Sequence, residues 1–507
     1  MNNRISHPVQ FLFLLLISFI SIFSPKDSAI RFTNAQGFLN AVVGDGSPNS
    51  CTEAAFDSAL AAVQAAQDGE ISFNCGGPAT IIFSGQKYIS TQLISIDGGG
   101  EITLSGANIT RLFNVLSGNL ELRGITLANG YTPGHGGAIL AENNTSVYLM
   151  DSTIQNSRTD TTFGGGAILS FDTSTNFPSV EIVNSVIEFN ESGFGAINTI
   201  GKLVVRDSVI RGNKAIQAGG GLSVSGDVEI TGTEILDNEA TSSVGGGILI
   251  GQNSAVHIQG GLIRGNKGSL GGGIYNAGGL VLRNLTVSEN IALASTGGGL
   301  ENYGGNALIV GVTISGNSSL RGGGAIGNSN NGFVELLNST LSGNDARTVD
   351  PNYGGGAIFN YQGGIAINNS TLVDNVGIAQ EAVVFTGGSG QLSLFNTIMV
   401  SRGGDNCRGM TADNISYSLF DDTTCKFSAG SNNIYEFPFI GDLANNGGPT
   451  LTHMIGSSSP AINTGDCLLE HDQRGVERPQ GGACDIGAVE RKPVEGLSSL
   501  FLPALIR

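Results

Sequence analysis

Through the middle of the chain, apolar residues fall in short alternating runs rather than in helical stripes. LVLRNLTV, ALIVGVTI and FVELLNSTL alternate apolar with polar or small residues over strand-sized lengths. A period of two is that of a strand with one buried face. Near the N-terminus, AAFDSALAAVQAAQ (residues 54–67) reads instead as a helix. The runs are themselves repeated. GGGIYNAGGLVLRNLTVSEN, Gly271 to Asn290, is followed by GGGLENYGGNALIVGVTISGN, Gly297 to Asn317. A glycine unit closed by an aliphatic residue, a glycine pair in every case but Ile197, recurs at Ile139, Ile168, Ile197, Leu222, Ile248, Ile274, Leu300, Ile326 and Ile358, at intervals of 25 to 32 residues.

A second column sets an aliphatic residue three places before Asn190, Asn213, Asn238, Asn266, Asn290, Asn317, Asn344 and Asn375. Six places before each of these stands Asn184, Asp207, Gly232, Gly260, Asn284, Gly311, Asn338 or Asn369. Only Asn, Asp and Gly occupy that column, the residues that tolerate a left-handed backbone, so it marks a bend. Helical solenoids need longer periods and amphipathic helices, and leucine-rich repeats need a leucine framework that is absent here. The pattern predicts an all-β parallel solenoid of about a dozen coils of roughly 26 residues, with the helix as a short N-terminal cap. Stacked coils place like over like, so Asn276, Asn302, Asn328 and Asn360, each two places after an anchor, should form a structural amide ladder.

Composition fixes the setting. The chain has 507 residues, 78 of them Gly, no Trp and a formal net charge of −18. Such a charge repels phosphates, which argues against nucleic acid as a partner. FLFLLLISFISIF, Phe11 to Phe23, is too short to span a bilayer and has the layout of a signal peptide, placed at residues 1–29. No later segment reads as transmembrane. Six cysteines agree with export. Pairing of neighbours is the simplest of their connectivities: Cys51 with Cys75, Cys407 with Cys425, Cys467 with Cys484. Metal binding is the competing use, but no CxxC or Cys/His cluster has ligand spacing, and neither metal nor cofactor is expected.

These units resemble the right-handed parallel β-helix repeats of the pectate-lyase-like superfamily. GGAI at 136–139, 165–168, 323–326 and 355–358 is similar to the repeat of bacterial polymorphic outer membrane proteins. That family pairs GGAI with FxxN, where this chain has Ile, Val or Leu for the Phe. The segment from Cys51 to Gly106 is similar to the opening of many exported bacterial β-helix proteins. Asn445 to Glu490, NNGGPTLTHMIGSSSPAINTGDCLLEHDQRGVERPQGGACDIGAVE, resembles the choice-of-anchor Q domain of bacterial surface proteins. The resemblances imply an extracytoplasmic β-helix protein and no particular reaction. Organisation follows: residues 30–110 as cap and first coils, 111–400 as the repetitive body, 401–490 as a disulfide-bearing domain closing the far end, and 491–507 as a tail. With 17 residues after Glu490, a C-terminal membrane barrel is not expected.

Catalysis on such a scaffold needs carboxylates on neighbouring coils. In the repeats Glu188, Asp237, Glu289 and Asp374 lie near the Asn column, separated by coils with Gly or Ser, while Arg211 and Arg264 are interrupted by Leu236. No acidic triad is expected there. His135 in GHG, the pair Asp421 and Asp422, and His453 and His471 lack partners in sequence, so no catalytic residue is assigned. Binding is better supported. If the anchors point inward, Tyr275, Glu301, Tyr303, Phe359 and Tyr361 point outward, an aromatic row with a carboxylate suited to a sugar or a protein. The expectation is a monomeric, non-enzymatic exported protein of cell-surface, matrix or adhesion type, with carbohydrate or a surface protein as partner. The alternative is a polysaccharide lyase or glycoside hydrolase.

Overall fold

The computed structural model describes residues 38–492, apart from 143, 172–178, 348–349, 351, 378–382, 402–403, 410–413 and 428–430. The expected signal peptide and the tail from 493 lie outside the described residues. From Leu39 to Tyr435 the chain is a right-handed parallel β-helix of about 14 turns. Each coil contributes strands to three long faces, and the bends between them obey the column read from sequence. Asn184, Asp207, Gly232, Gly260, Asn284, Gly311, Asn338 and Asn369 all have φ between 45° and 67°. They turn the chain from the second face (Gly279–Arg283 in one coil) to the third (Thr286–Ser288). The anchors Ile139 to Ile358 open the first face and are essentially fully buried, stacked on one another through the core. A fourth, ten-stranded ribbon of very short strands fills the corner before each glycine unit.

Sequence chemistry explains how the N-terminal end is covered. Helix α1 (Glu53–Ala66) starts at Thr52, whose hydroxyl accepts the Ala55 N–H, and stops at Gln67 in a left-handed conformation. It buries Phe56, Ala59, Leu60 and Val63 against the first coils, with Phe56 packed on Phe73 and Phe83. Lys87, itself buried, ties the helix down through Glu53 and Asp57, both at 2.7 Å. The helix hides the edge of the first coil from further strand pairing.

The Asn190–Asn375 column is more than a turn marker. From Asn213 on, each buried side-chain Oδ1 accepts both the N–H and the Nδ2 of the asparagine one coil earlier, while that of Asn190 accepts the Ser157 N–H. For Asn266 and Asn290 both distances are 2.9 Å, and the run continues unbroken to Asn375. The spine therefore satisfies a row of backbone donors that the bend leaves without strand partners. The shorter ladder lies where the first face turns into the second. Nδ2 of Asn276 donates to Asn302 at 2.7 Å, Asn302 to Asn328 at 2.8 Å and Asn328 to Asn360 at 2.9 Å.

The C-terminal region differs from the expectation of a domain that closes the far end. Residues 407–435 continue the solenoid, pairing coil on coil. Residues 440–490 then fold back along the side and clasp the third face. Thr313, Thr340 and Thr371 point outward from successive coils, and this clasp covers them. Thr313 donates to Leu451 O at 2.6 Å, Thr340 to Gln473 Oε1 at 2.6 Å, and Thr371 Oγ1 accepts the Ala488 N–H at 2.9 Å. These hydroxyls are the polar anchors that hold the returning chain on the side of the stack. Within the clasp, Arg478 and Glu490 form an ion pair at 2.9 Å with side chains 0% and 1% exposed. The three disulfides pair neighbouring cysteines, Cys51–Cys75, Cys407–Cys425 and Cys467–Cys484, with Cα atoms 5.5, 4.8 and 5.3 Å apart. Such bridges form and persist in oxidising, extracytoplasmic compartments.

Candidate functional site

The register places Tyr275, Glu301, Gly327, Phe359, Phe385 and Arg408 in one row along the first face. Tyr303, Ser329 and Tyr361 form the parallel row two residues on. The five residues predicted to face outward do not form one exposed strip. Tyr303 and Tyr361 are each 43% exposed, Tyr275 is half-buried, and Glu301 and Phe359 are covered. Alternation decides the side of the sheet but not what lies on it. The corner carrying Gly322 closes over the Phe359 ring, and the corner carrying Thr296 closes over Glu301.

The rings nevertheless make two blocks. Tyr275 and Tyr303 stack with centroids 6.0 Å apart. Tyr353, Tyr361 and Phe385 all stack on Phe359, at 5.5, 6.3 and 5.5 Å. Two guanidinium groups flank the second block, Arg321 over Tyr353 at 5.2 Å and Arg408 over Phe385 at 5.7 Å. Burial, then the neighbouring Glu301 and Tyr303, push the Tyr275 phenol up to about 12. Beneath the row, the Asn276–Asn360 ladder fixes the backbone, each amide also donating to a glycine carbonyl of its own turn. Phe385 and Tyr353 were missed by sequence reading, because Phe385 follows no glycine pair and Tyr353 lies in the longest inter-anchor interval.

The remaining candidates lie apart from this face. Asp237, Glu289 and Asp374 sit at positive-φ turn positions, and Glu188 pairs with Arg211 at 2.6 Å. His135 meets Phe163 edge-on at 4.8 Å and accepts the Gly164 N–H at Nδ1; burial, then Arg111, hold its pKa below the ordinary value. Asp421 and Asp422 accept bonds from Ser401, Asn406 and Thr424 beside the Cys407–Cys425 bridge. His453 is buried in the clasp between Gly441 O and Ser342 Oγ. No grouping of three or more His, Cys, Asp or Glu that could hold a metal occurs among the described residues.

One cluster was not anticipated. The acidic residues compared in sequence were those of the repeats, and the first coils were not among them. Glu70, Asp97 and Glu121 lie on three successive coils of the second face, around Arg123. Arg123 pairs with Glu70, donates to Ser95 Oγ at 3.0 Å and lies 3.3 Å from Glu121. Burial raises the Glu121 carboxyl above its ordinary range; Arg123 opposes that shift, and Glu70 and Asp97 add to it. Asp97 and Glu101 also line a cavity of about 440 Å³. These coils lack the glycine unit used to stack the repeats, so nothing in the pattern aligned them.

No known family's profile matches the chain, and no curated protein matches it. Among solved structures it is similar to one described as a new PL6 alginate lyase complex with trisaccharide. The likeness spans 88% of this chain and 96% of that one, at 12% identity and a TM-score of 0.38. No helix among the described residues is long and apolar enough to cross a membrane.

Proposed function

We propose that this chain is an extracytoplasmic surface or matrix protein of adhesive type that takes a carbohydrate chain on the aromatic face of its β-helix. The observation that carries the reading is the pair of ring blocks, with Tyr303 and Tyr361 open to solvent and Arg321 beside them. Aromatic rings stack on sugar rings, and these follow the solenoid axis, so the face suits an extended polymer. In this reading residues 1–29 direct export, 401–490 serve as an anchor-type domain, and the protein acts as a monomer without cofactor or nucleic acid. Affinity electrophoresis against neutral and acidic polysaccharides tests it. At least one polymer should retard the protein, and the double variant Tyr303→Ala/Tyr361→Ala should abolish retardation with its thermal unfolding unchanged. A panel with no retardation sinks the reading.

The Arg123 cluster favours a second reading, cleavage of a polysaccharide. Burial moves the Glu121 carboxyl upward, the direction a general acid requires, and Glu70, paired with the same Arg123, is a second carboxylate beside it. Polymer release measured with and without Ca²⁺ separates the two. Turnover that Glu121→Gln abolishes would replace the binding reading.

A further inference from the structure

Glu301 stands apart from the rest of its row. It is 1% exposed, Oε1 accepts from Ser329 Oγ at 2.8 Å, and the Thr296 hydroxyl bonds it as well. Oε2 has no partner. Room for it comes from the next coil in register. A Cβ placed on Gly327 would lie 2.0 Å from Oε2, so the acid fills the gap between Tyr275 and Phe359 that this glycine leaves. Among the described residues around it, none offers a charge to balance it. Tyr275 faces it from the preceding coil, Tyr303 shares its strand, and Tyr361 stands two coils on. The corner 293–297 and the strand Ile326–Ser329 contribute only hydroxyl, glycine, amide and apolar groups. Arg321, the cation of the next corner, lies over Tyr353.

We propose that Glu301 is a pH-operated positioning residue of the aromatic face: uncharged, it seats in the Gly327 gap and holds Tyr275, Tyr303 and the corner 293–297; charged, it leaves the gap and the face loosens. Only the consequence for binding rests on the carbohydrate reading. Burial holds the carboxyl above its ordinary range, against the opposing bonds from Thr296 and Ser329. An ionised group there has no cation to pair with, so its route to stability is hydration, which means departure from the gap.

Hydrogen exchange from about pH 5 to about pH 9, corrected for intrinsic rates, reads the opening directly. In the wild type the amides of residues 294–303 should accelerate about tenfold for each unit rise in pH until the native pKa is reached, following the charged fraction. Glu301→Gln, which cannot ionise, should stay flat. A polysaccharide retained by both proteins at the acid end should be retained only by the variant at the alkaline end. Parallel exchange profiles for the two proteins overturn the proposal. If no polysaccharide is retained, the carbohydrate reading fails while the exchange contrast still decides the role of Glu301. Should the variant not fold, the carboxyl carbon of Glu301 can be titrated by NMR in the wild type. Ionisation in the ordinary carboxylate range, with no accompanying rise in exchange, overturns the proposal; a raised titration coincident with that rise supports it.

Discussion

Replacing Asn290 by Ala tests whether the long asparagine spine carries stability or merely accompanies the bends. The side chain donates to Ile263 O and Asn317 Oδ1 and accepts from the N–H and Nδ2 of Asn266, all at 2.9 Å. Asn266 Nδ2 keeps Ile235 O and Arg264 O, and Asn317 Oδ1 keeps the Asn290 N–H. The group left without a partner is the buried Asn266 N–H, and Ile263 O loses one bond. At about 1–3 kcal/mol for an orphaned buried donor and about 1 kcal/mol for each further bond, the loss should be about 3 kcal/mol. Asn290→Ser should recover about half of it, because a serine hydroxyl can take the N–H, as Ser157 Oγ takes that of Gly130 at 3.0 Å. Asn306→Ala, an exposed asparagine of the second face, should stay within about 0.5 kcal/mol. Urea unfolding gives the size, and hydrogen exchange shows whether the damage stays near coils 263–317, as neighbour-coupled coils require. Equal costs for Asn290→Ala and Asn306→Ala would refute the reasoning.

Asn302→Leu breaks ladder bonds to both neighbours and should cost about 1–3 kcal/mol, whereas Tyr303→Leu should cost about 0.5 kcal/mol or less in thermal unfolding. The reverse order would mean that the inward and outward faces are swapped. Because the native Glu301 carboxyl titrates above its ordinary range, the folded state keeps a proton that the unfolded chain has lost. Stability should therefore fall as pH rises from the ordinary Glu range toward the native value, and the difference between wild type and Glu301→Gln, followed by denaturant midpoints, should show that slope. Arg478→Met leaves Glu490 buried without its partner and should loosen the clasp by about 3–5 kcal/mol; limited proteolysis should cut within 440–490 while the coils remain protected.

Periodicity exposed what every coil repeats. The left-handed column at Asn184 to Asn369 and the buried anchors could be read because the same backbone conformation recurs and only a few residue types accept it. The Asn190–Asn375 spine was visible as a column but not as a ladder, since asparagine near a bend is equally explained by turn chemistry. Glu301 shows the limit of alternation, which says which way a side chain leaves the strand and nothing about a corner such as Thr296 that then covers it. The Arg123 cluster rests on a register between coils without a shared signature. The clasp needed Thr340 to meet Gln473, a partner 133 residues away with no pattern in common.

The clasp also decides how the molecule carries load. A stack of coils pulled from its last turn yields by peeling, one turn at a time, because each turn holds only its neighbours. Here a pull applied at Lys492 does not reach the last turn first. Arg491 passes it to Ile455 O, and the returning chain spreads it over Thr313, Thr340, Thr371 and Asn396 on four different turns. Those bonds are strained together, in shear along the axis, so the terminal turns are shielded from tension until the whole side strap gives way.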